Sequence, residues 1–166
     1  MPKDIRGVVQ PFVGICGVQS TDELVQLEQC AKKYLDGTDR YIMAGVKSIR
    51  TGIQNNHQSE LVRCFVHCDF SETEPFEQTV ERNLWASRHF VRGLQLNMLP
   101  WLEVDFAPLL ERLKYRYPDL LLVLQVPKSM MEHYSPQQIT DRLWGLCINY
   151  VLFDPSQSRG EAYCLE

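Results

Sequence analysis

Short apolar runs alternate with amphipathic segments along the whole 166-residue chain. Apolar residues at helical spacing follow the first, third, fourth and fifth runs, whereas a polar stretch follows the second. The pattern therefore predicts a repeated β-α order with a weak second helix. The predicted strands lie near residues 12–16, 41–46, 61–70, 94–98, 120–126 and 150–153.

Capping residues mark several of the predicted helix ends. Ser20 with Glu23 three residues later forms a capping box before a helix that stops at Asp36-Gly37. Ser135-Pro136 supplies an N-cap and a proline in the first helical position, before a helix that runs to about Leu146. Further helices are predicted over 74–90 and 106–117, and a long polar loop over 47–59.

This alternation indicates an α/β fold of parallel strands joined by right-handed crossovers. Two architectures fit it: a (β/α) barrel-type fold of about six β-α units, that is, an incomplete TIM barrel, or an open doubly wound sheet. No low-complexity linker divides residues 1–166. We therefore expect a single α/β domain, either complete or a fragment of a longer barrel.

Composition narrows the class of partner. The net charge is -4, which argues against nucleic acid, because proteins that bind phosphate backbones carry a basic balance or patch. No apolar run approaches the roughly 18 residues of a membrane span, and the first residues lack a signal-peptide apolar region. Six scattered cysteines without such a signal favour reduced thiols in the cytoplasm.

One stretch contains cysteine and histidine side chains, which are common metal ligands. Cys64 and Cys68 flank His67 within a predicted strand. Because side chains alternate along a strand, the two cysteines face one side and the histidine faces the other. We therefore expect no metal site here.

Polar residues at predicted strand ends are the candidates for chemistry, since active sites of parallel α/β folds lie at those ends. Cys16 ends the first strand, Gln95 and Asn97 point the same way in the fourth, and Asp154 ends the sixth. Singly, each has a structural interpretation: a packed thiol, a turn residue or an amide bonded to backbone. As an ordered set they predict a site.

Three motifs carry a family resemblance. ICGVQSTDEL at the first strand, GLQLN at the fourth and NYVLFDPSQSRGEAY at the sixth resemble, in order, motifs of the phosphoribosylanthranilate isomerase family. That family is a (β/α)8 barrel which performs an Amadori aldose-to-ketose rearrangement in tryptophan biosynthesis, without metal or organic cofactor. The resemblance implies an isomerase acting on a small phosphorylated sugar-type substrate.

The resemblance also implies residue roles. Cys16 would be the general base that removes the C2′ proton, and Asp154 the general acid that protonates the furanose ring oxygen. A thiol suits this task because its ordinary pKa of about 8.5 lies near neutrality. The remaining side chains implied for substrate binding are Gln95, Asn97, Arg50, Arg159 and Gly160.

The chain also departs from the family pattern. Val13-Gly14 stand before Ile15-Cys16 where the family has a lysine, Asn97 replaces a histidine, and Gly160 is the single glycine after Asp154. The last two β-α units, which form the usual phosphate site, lie outside the sequence. An alternative expectation is therefore a divergent, non-catalytic barrel protein that binds a small molecule or a protein, or that self-associates through open sheet edges.

Overall fold

The computed structural model describes residues 12–46, 59, 61–70, 75–86, 91–97, 99, 101 and 104–154. Within the described ranges, one helix follows each of the first, third and fourth strands, and two helices lie between the last two strands. The elements are β1 Phe12–Val18, α1 Thr21–Leu35, β2 Tyr41–Val46, β3 Val62–Asp69, α2 Phe76–Ala86, β4 Val91–Asn97, α3 Ala107–Arg116, β5 Leu121–Pro127, α4 Lys128–His133, α5 Pro136–Leu143 and β6 Tyr150–Asp154.

The six strands form one sheet whose spatial order equals their order in the chain. β1 pairs in parallel with β2, β2 with β3, β4 with β5, and β5 with β6. A doubly wound sheet reverses its order at a switch point, whereas the strands of a (β/α) barrel follow one another in sequence. The fold is therefore a parallel α/β fold of the incomplete-barrel type, as expected from the alternation.

Capping fixes the predicted helix starts. The Ser20 hydroxyl accepts the Glu23 N–H at 3.2 Å, while the Glu23 carboxylate accepts the N–H of Gln19 at 2.7 Å. Glu23 thus reaches one residue further back than in a standard capping box. A complete capping box starts α5, where the Ser135 and Gln138 side chains each accept the other's backbone N–H.

Two helical features differ from the sequence expectation. α5 ends at Leu143, where the backbone turns and Gly145 adopts a φ of 105°. α4 follows β5 directly, without a loop, and Pro127 is its N-cap. Six residues are too few for a helical period to stand out in the sequence, which is why α4 was not expected.

The chain divides into two compact units, the first comprising Met1–Val66 with Asn83–Arg92 and the second His67–Arg82 with Gly93–Glu166. In the first unit, α1 buries Leu24 and Ala31 fully. They belong to one hydrophobic cluster with alternate residues of β2 and β3: Ile42, Ala44, Val46, Val62 and Cys64. One face of these strands is therefore the core side.

In the second unit, alternate residues of β4 and β5 are fully buried leucines: Leu94, Leu96, Leu122 and Leu124. α3 buries Leu110 completely, and the ion pairs Glu77–Arg112 (3.1 Å) and Glu81–Arg116 join α2 to α3. The polar residues Gln95, Asn97 and Gln125 alternate with these leucines along β4 and β5, and so point to the opposite face. Within the described ranges, no helix has the length and apolar character needed to cross a membrane.

Candidate functional site

The registers of three strands place four polar side chains on one face of the second unit. Gln95 pairs with Val123, so Asn97 lies level with Gln125. Gln125 pairs with Leu152, and Asp154 stands two residues beyond, level with Pro127. Paired residues of parallel strands point to the same side, as do residues two apart on one strand. Gln95, Asn97, Gln125 and Asp154 therefore share a face.

β3 adds two residues to that face. The Phe70 N–H donates to the Asn97 carbonyl at 3.1 Å. In the hydrogen-bond pattern of a parallel ladder, this bond sets Asp69 opposite Asn97 and His67 opposite Gln95. Asp69, Asn97 and Asp154 are each the last residue of their strand. We call Asp69, Asn97, Gln125 and Asp154, one from each of β3 to β6, the polar row.

The two amides of β4 bind each other. Gln95 Nε2 donates to Asn97 Oδ1 at 2.8 Å, and both side chains are buried. The sequence interpretation in which each amide bonds to backbone is replaced by a side-chain pair on one strand. Because both partners are amides, the pair keeps further donor and acceptor positions that can serve a ligand.

Asp154 is held by the neighbouring strand. Gln125 Nε2 donates to Asp154 Oδ2 at 2.8 Å, and Gln125 is only 1% exposed. The Gln125 carbonyl in turn accepts the indole N–H of Trp101 at 3.3 Å. A donor fixed in this way orients the carboxyl group.

Cys16 belongs to the first unit. It pairs with Gly45 on β2, on the face away from Ile42, Ala44 and Val46, and it is exposed. The register then shifts between Cys16 and Val18, where Gly17 adopts a φ of 86°. This bulge returns Val18 to the core side, where it is buried. The prediction that the first strand ends at Cys16 is wrong, because β1 resumes after the bulge and runs to Val18. An exposed thiol can exchange protons with a ligand or with solvent.

The remaining sequence candidates, Arg50, Arg159 and Gly160, lie outside the described residues, as does most of the predicted 47–59 loop. Sequence reasoning missed Gln125 and Asp69. The signal for Gln125 was present: it is the one polar residue in the apolar run LLVLQVP. The signal for Asp69 was its place at the end of a strand, the criterion already applied to Asp154.

The cysteines of β3 are core residues. Burial raises the pKa of the Cys64 thiol to about 11 and that of Cys68 to about 12, with Arg82 weakly opposing the latter shift. Both remain protonated thiols at neutral pH, and a metal binds the thiolate. Among the described residues, no cluster of three or more histidine, cysteine, aspartate or glutamate side chains could hold a metal ion.

Carboxylates and amides at the carboxyl ends of parallel strands can do two things chemically. Amides donate to and accept from sugar hydroxyls, and a carboxyl group can also transfer a proton. The polar row supplies both kinds of group on one face. No protein-family model matches the chain, and no curated protein sequence matches it.

Proposed function

We propose that the chain is an aldose–ketose isomerase that performs an Amadori rearrangement on a small phosphorylated amino sugar, with Asp154 as the proton donor. The observation that supports it is the Asp154 carboxyl at the carboxyl end of β6, held at 2.8 Å by Gln125. The fold class also supports it, because enzymes of this class act at that end of the strands. The resemblance of three motifs to phosphoribosylanthranilate isomerase supplies the reaction.

In the proposed reaction, Asp154 gives its proton to the furanose ring oxygen of an N-linked phosphoribosyl amine. The C1′–O bond breaks towards oxygen while the nitrogen lone pair forms a C1′=N bond. A base then removes the C2′ proton, and the electrons move through C1′ to nitrogen. The resulting enaminol tautomerises to the ketose amine. C1′ is reduced as C2′ is oxidised, so no external oxidant or reductant is needed.

We propose that Cys16, whose thiol is exposed, is the base. Gln95 and Asn97 are proposed to bind sugar hydroxyls. A pair of buried amides suits this task because it offers donors and acceptors without adding a second titrating group. Arg50, Arg159 and Gly160 keep their proposed part in substrate binding.

The test is turnover of N-(phosphoribosyl)anthranilate by the purified chain and by Asp154→Asn and Cys16→Ser. Each substitution keeps size and removes the acid or the base. We expect each to lower kcat roughly 100-fold or more, the usual contribution of one acid or base group. Thermal unfolding of each variant checks that the fold is retained. Full turnover by folded Asp154→Asn would falsify the assignment of the acid.

A second candidate is a non-catalytic protein that binds a polar small molecule. One observation favours it: three buried side chains that share a face with Asp154 are amides, namely Gln95, Asn97 and Gln125. Amides can bind a ligand but do not transfer protons at neutral pH. Ribose 5-phosphate that raises the melting temperature of the wild-type chain, combined with no turnover of the phosphoribosyl amine, would favour this candidate over the isomerase.

From the same family resemblance, we propose a place in tryptophan biosynthesis. We also propose a cytosolic location. No disulfide joins the five cysteines within the described ranges, which suits a reducing compartment. We further propose self-association through sheet edges, since β1 and β6 end the strand order. Sedimentation at two protein concentrations tests it: a concentration-independent monomer mass argues against it.

A further inference from the structure

We propose that Gln125 is a positioning residue for Asp154: its side-chain amide orients the carboxyl group and sets the pH at which that group exchanges its proton. This inference deepens the proposed function and rests on it for the link to catalysis. The hydrogen bond itself does not depend on any activity.

The bond joins neighbouring strands diagonally. Gln125 pairs with Leu152, so its side chain must lean two residues towards the carboxyl end of β6 to reach Asp154 Oδ2 at 2.8 Å. An amide buried to this degree gives up hydrogen bonds to water, which costs free energy unless partners replace them. Asp154 is such a partner, and a charged acceptor makes the stronger kind of bond.

Gln125 is held through its backbone carbonyl and by its position inside a buried strand. Its backbone carbonyl accepts the Trp101 indole N–H, and Trp101 is itself buried. The residue also lies inside a strand flanked by fully buried Leu124 and Val126. These contacts fix the backbone of Gln125, and the burial of its side chain, which is 1% exposed, limits the positions that the amide can adopt. An amide held in this way is a pre-organised donor, which loses little conformational entropy when it binds the carboxylate.

The elements next to Asp154 carry both neutral and titratable side chains. On β5, the residues of the same face are Val123, Gln125 and Pro127, which do not titrate, and on β6 the same face carries Tyr150. On α4, Lys128 lies 3.8 Å from Glu132, and the His133 ring contacts the Ser129 carbonyl through Nδ1. The exposed charges of α5 are Asp141 and Arg142. Gln125 Nε2 donates directly to Asp154 Oδ2.

An amide partner has a property that a lysine or arginine partner lacks. It donates through Nε2 to the carboxylate and, after rotation about its last bond, accepts through Oε1 from the carboxylic acid. Gln125 can therefore follow Asp154 through a full cycle of proton transfer without losing the bond. A cationic partner would hold the carboxylate ionised and so hinder the acid step.

The first experiment needs no substitution. The carboxyl ¹³C resonance of Asp154 and the side-chain ¹⁵N resonance of Gln125 are followed from pH 3 to 8 in the full chain. We expect both to shift with one common midpoint. The side-chain ¹⁵N resonance of Gln95 is the internal control, because its partner is Asn97 and not a carboxylate. A Gln125 resonance that does not follow Asp154 overturns the proposal.

The second experiment uses Gln125→Met, which keeps the volume and removes the donor, and Gln125→Glu, which keeps the shape. Loss of the donor should move the Asp154 midpoint upward by about one pH unit, and an adjacent carboxyl should move it further. Gln95→Met is the matched control and should leave the midpoint unchanged. An unchanged midpoint in folded Gln125→Glu contradicts the proposal, even if the chain proves not to be an isomerase.

Activity gives a separate outcome. If Asp154 is the acid of the isomerase, the alkaline limb of the kcat profile should move upward with the midpoint in Gln125→Met. A midpoint that moves while no variant shows turnover leaves Gln125 as the positioning residue and rejects the isomerase. A midpoint that stays while turnover is normal rejects the role of Gln125 and keeps the isomerase.

Discussion

Gln95 donates from Nε2 to Asn97 Oδ1 at 2.8 Å, although the two residues stand on the same strand and are both buried. Residues two apart on a strand point the same way, so their amides meet without a partner from another strand. Each amide thereby satisfies part of the other's hydrogen-bonding capacity. The pair is a unit, and the consequences of breaking it differ from those of removing it.

Breaking the pair should cost more than removing it. Gln95→Met or Asn97→Leu alone leaves one buried amide without its partner, and we expect each to lower the free energy of unfolding by about 1–3 kcal/mol. The double variant removes both polar groups, so its loss should be smaller than the sum of the single losses. Urea unfolding of the four proteins measures the coupling. Strict additivity would show that the bond contributes nothing to stability.

Gly17 should tolerate a side chain poorly, whereas Gly14 should tolerate one well. Gly17 has a φ of 86° at the bulge that separates Cys16 from Val18, and an L-residue resists that conformation although the space around it is open. At Gly14, a Cβ would stand 3.6 Å from Phe12 and 3.9 Å from Met43, which is ordinary contact.

We therefore expect Gly17→Ala to be less stable than Gly14→Ala by about 1–2 kcal/mol. Both substitutions lower the conformational entropy of the unfolded chain by a similar amount, so this effect cancels when the two variants are compared. Chemical unfolding of the two variants measures the difference. Equal stabilities would mean that the bulge accepts an alanine, and that Gly17 is not needed to return Val18 to the core.

The strands were predictable because their apolar runs are long and uninterrupted, as in Tyr41–Val46, whose predicted and observed bounds agree. The bulge at Gly17 was not, because two glycines flank Cys16 and the sequence does not say which needs a positive φ. α4 was missed because one and a half turns show no period. Local pattern determines elements but not their irregularities.

The candidate site was predictable only in part, for a different reason. The shared direction of Gln95 and Asn97 follows from alternation along one strand. The bond between Gln125 and Asp154 depends on the register between β5 and β6, which no local pattern encodes. The same holds for Asp69, whose place beside Asn97 follows from one backbone bond between strands.

Lys114 should stabilise the turn between α3 and β5. Its Nζ donates to the carbonyls of Pro118 at 2.9 Å and Leu120 at 2.7 Å. Burial lowers the pKa of Lys114, while Asp119 and Cys147 oppose that shift. Lys114→Met keeps the aliphatic stem and deprives both carbonyls of this donor, so we expect a loss of about 1–3 kcal/mol.

The matched control for Lys114 is Lys32→Met. Lys32 pairs with Glu28 at 3.0 Å across one helical turn, in an arrangement where the lysine is largely exposed. Such pairs contribute about 0.3–0.5 kcal/mol. Thermal or urea unfolding compares the two variants. If the two losses are equal, the carbonyls of Pro118 and Leu120 gain nothing from the ammonium group, and the turn is held by its backbone alone.

Stability should fall at alkaline pH because of the β3 thiols. Burial raises the pKa of Cys64 and Cys68 to about 11 and 12 from 9.0, so between these values the folded state keeps protons that the unfolded state has lost. Their contribution to the free energy of unfolding is constant below pH 9 and decreases above it, by about 1.4 kcal/mol per pH unit for each thiol.

Urea unfolding from pH 8 to 10.5 measures this slope of the free energy of unfolding against pH. Cys64→Ala and Cys68→Ala should each reduce it, whereas Cys30→Ala, at an exposed site on α1, should not. A slope that is the same in all three variants as in the wild-type chain would mean that the buried thiols ionise as readily in the folded state as in the unfolded one.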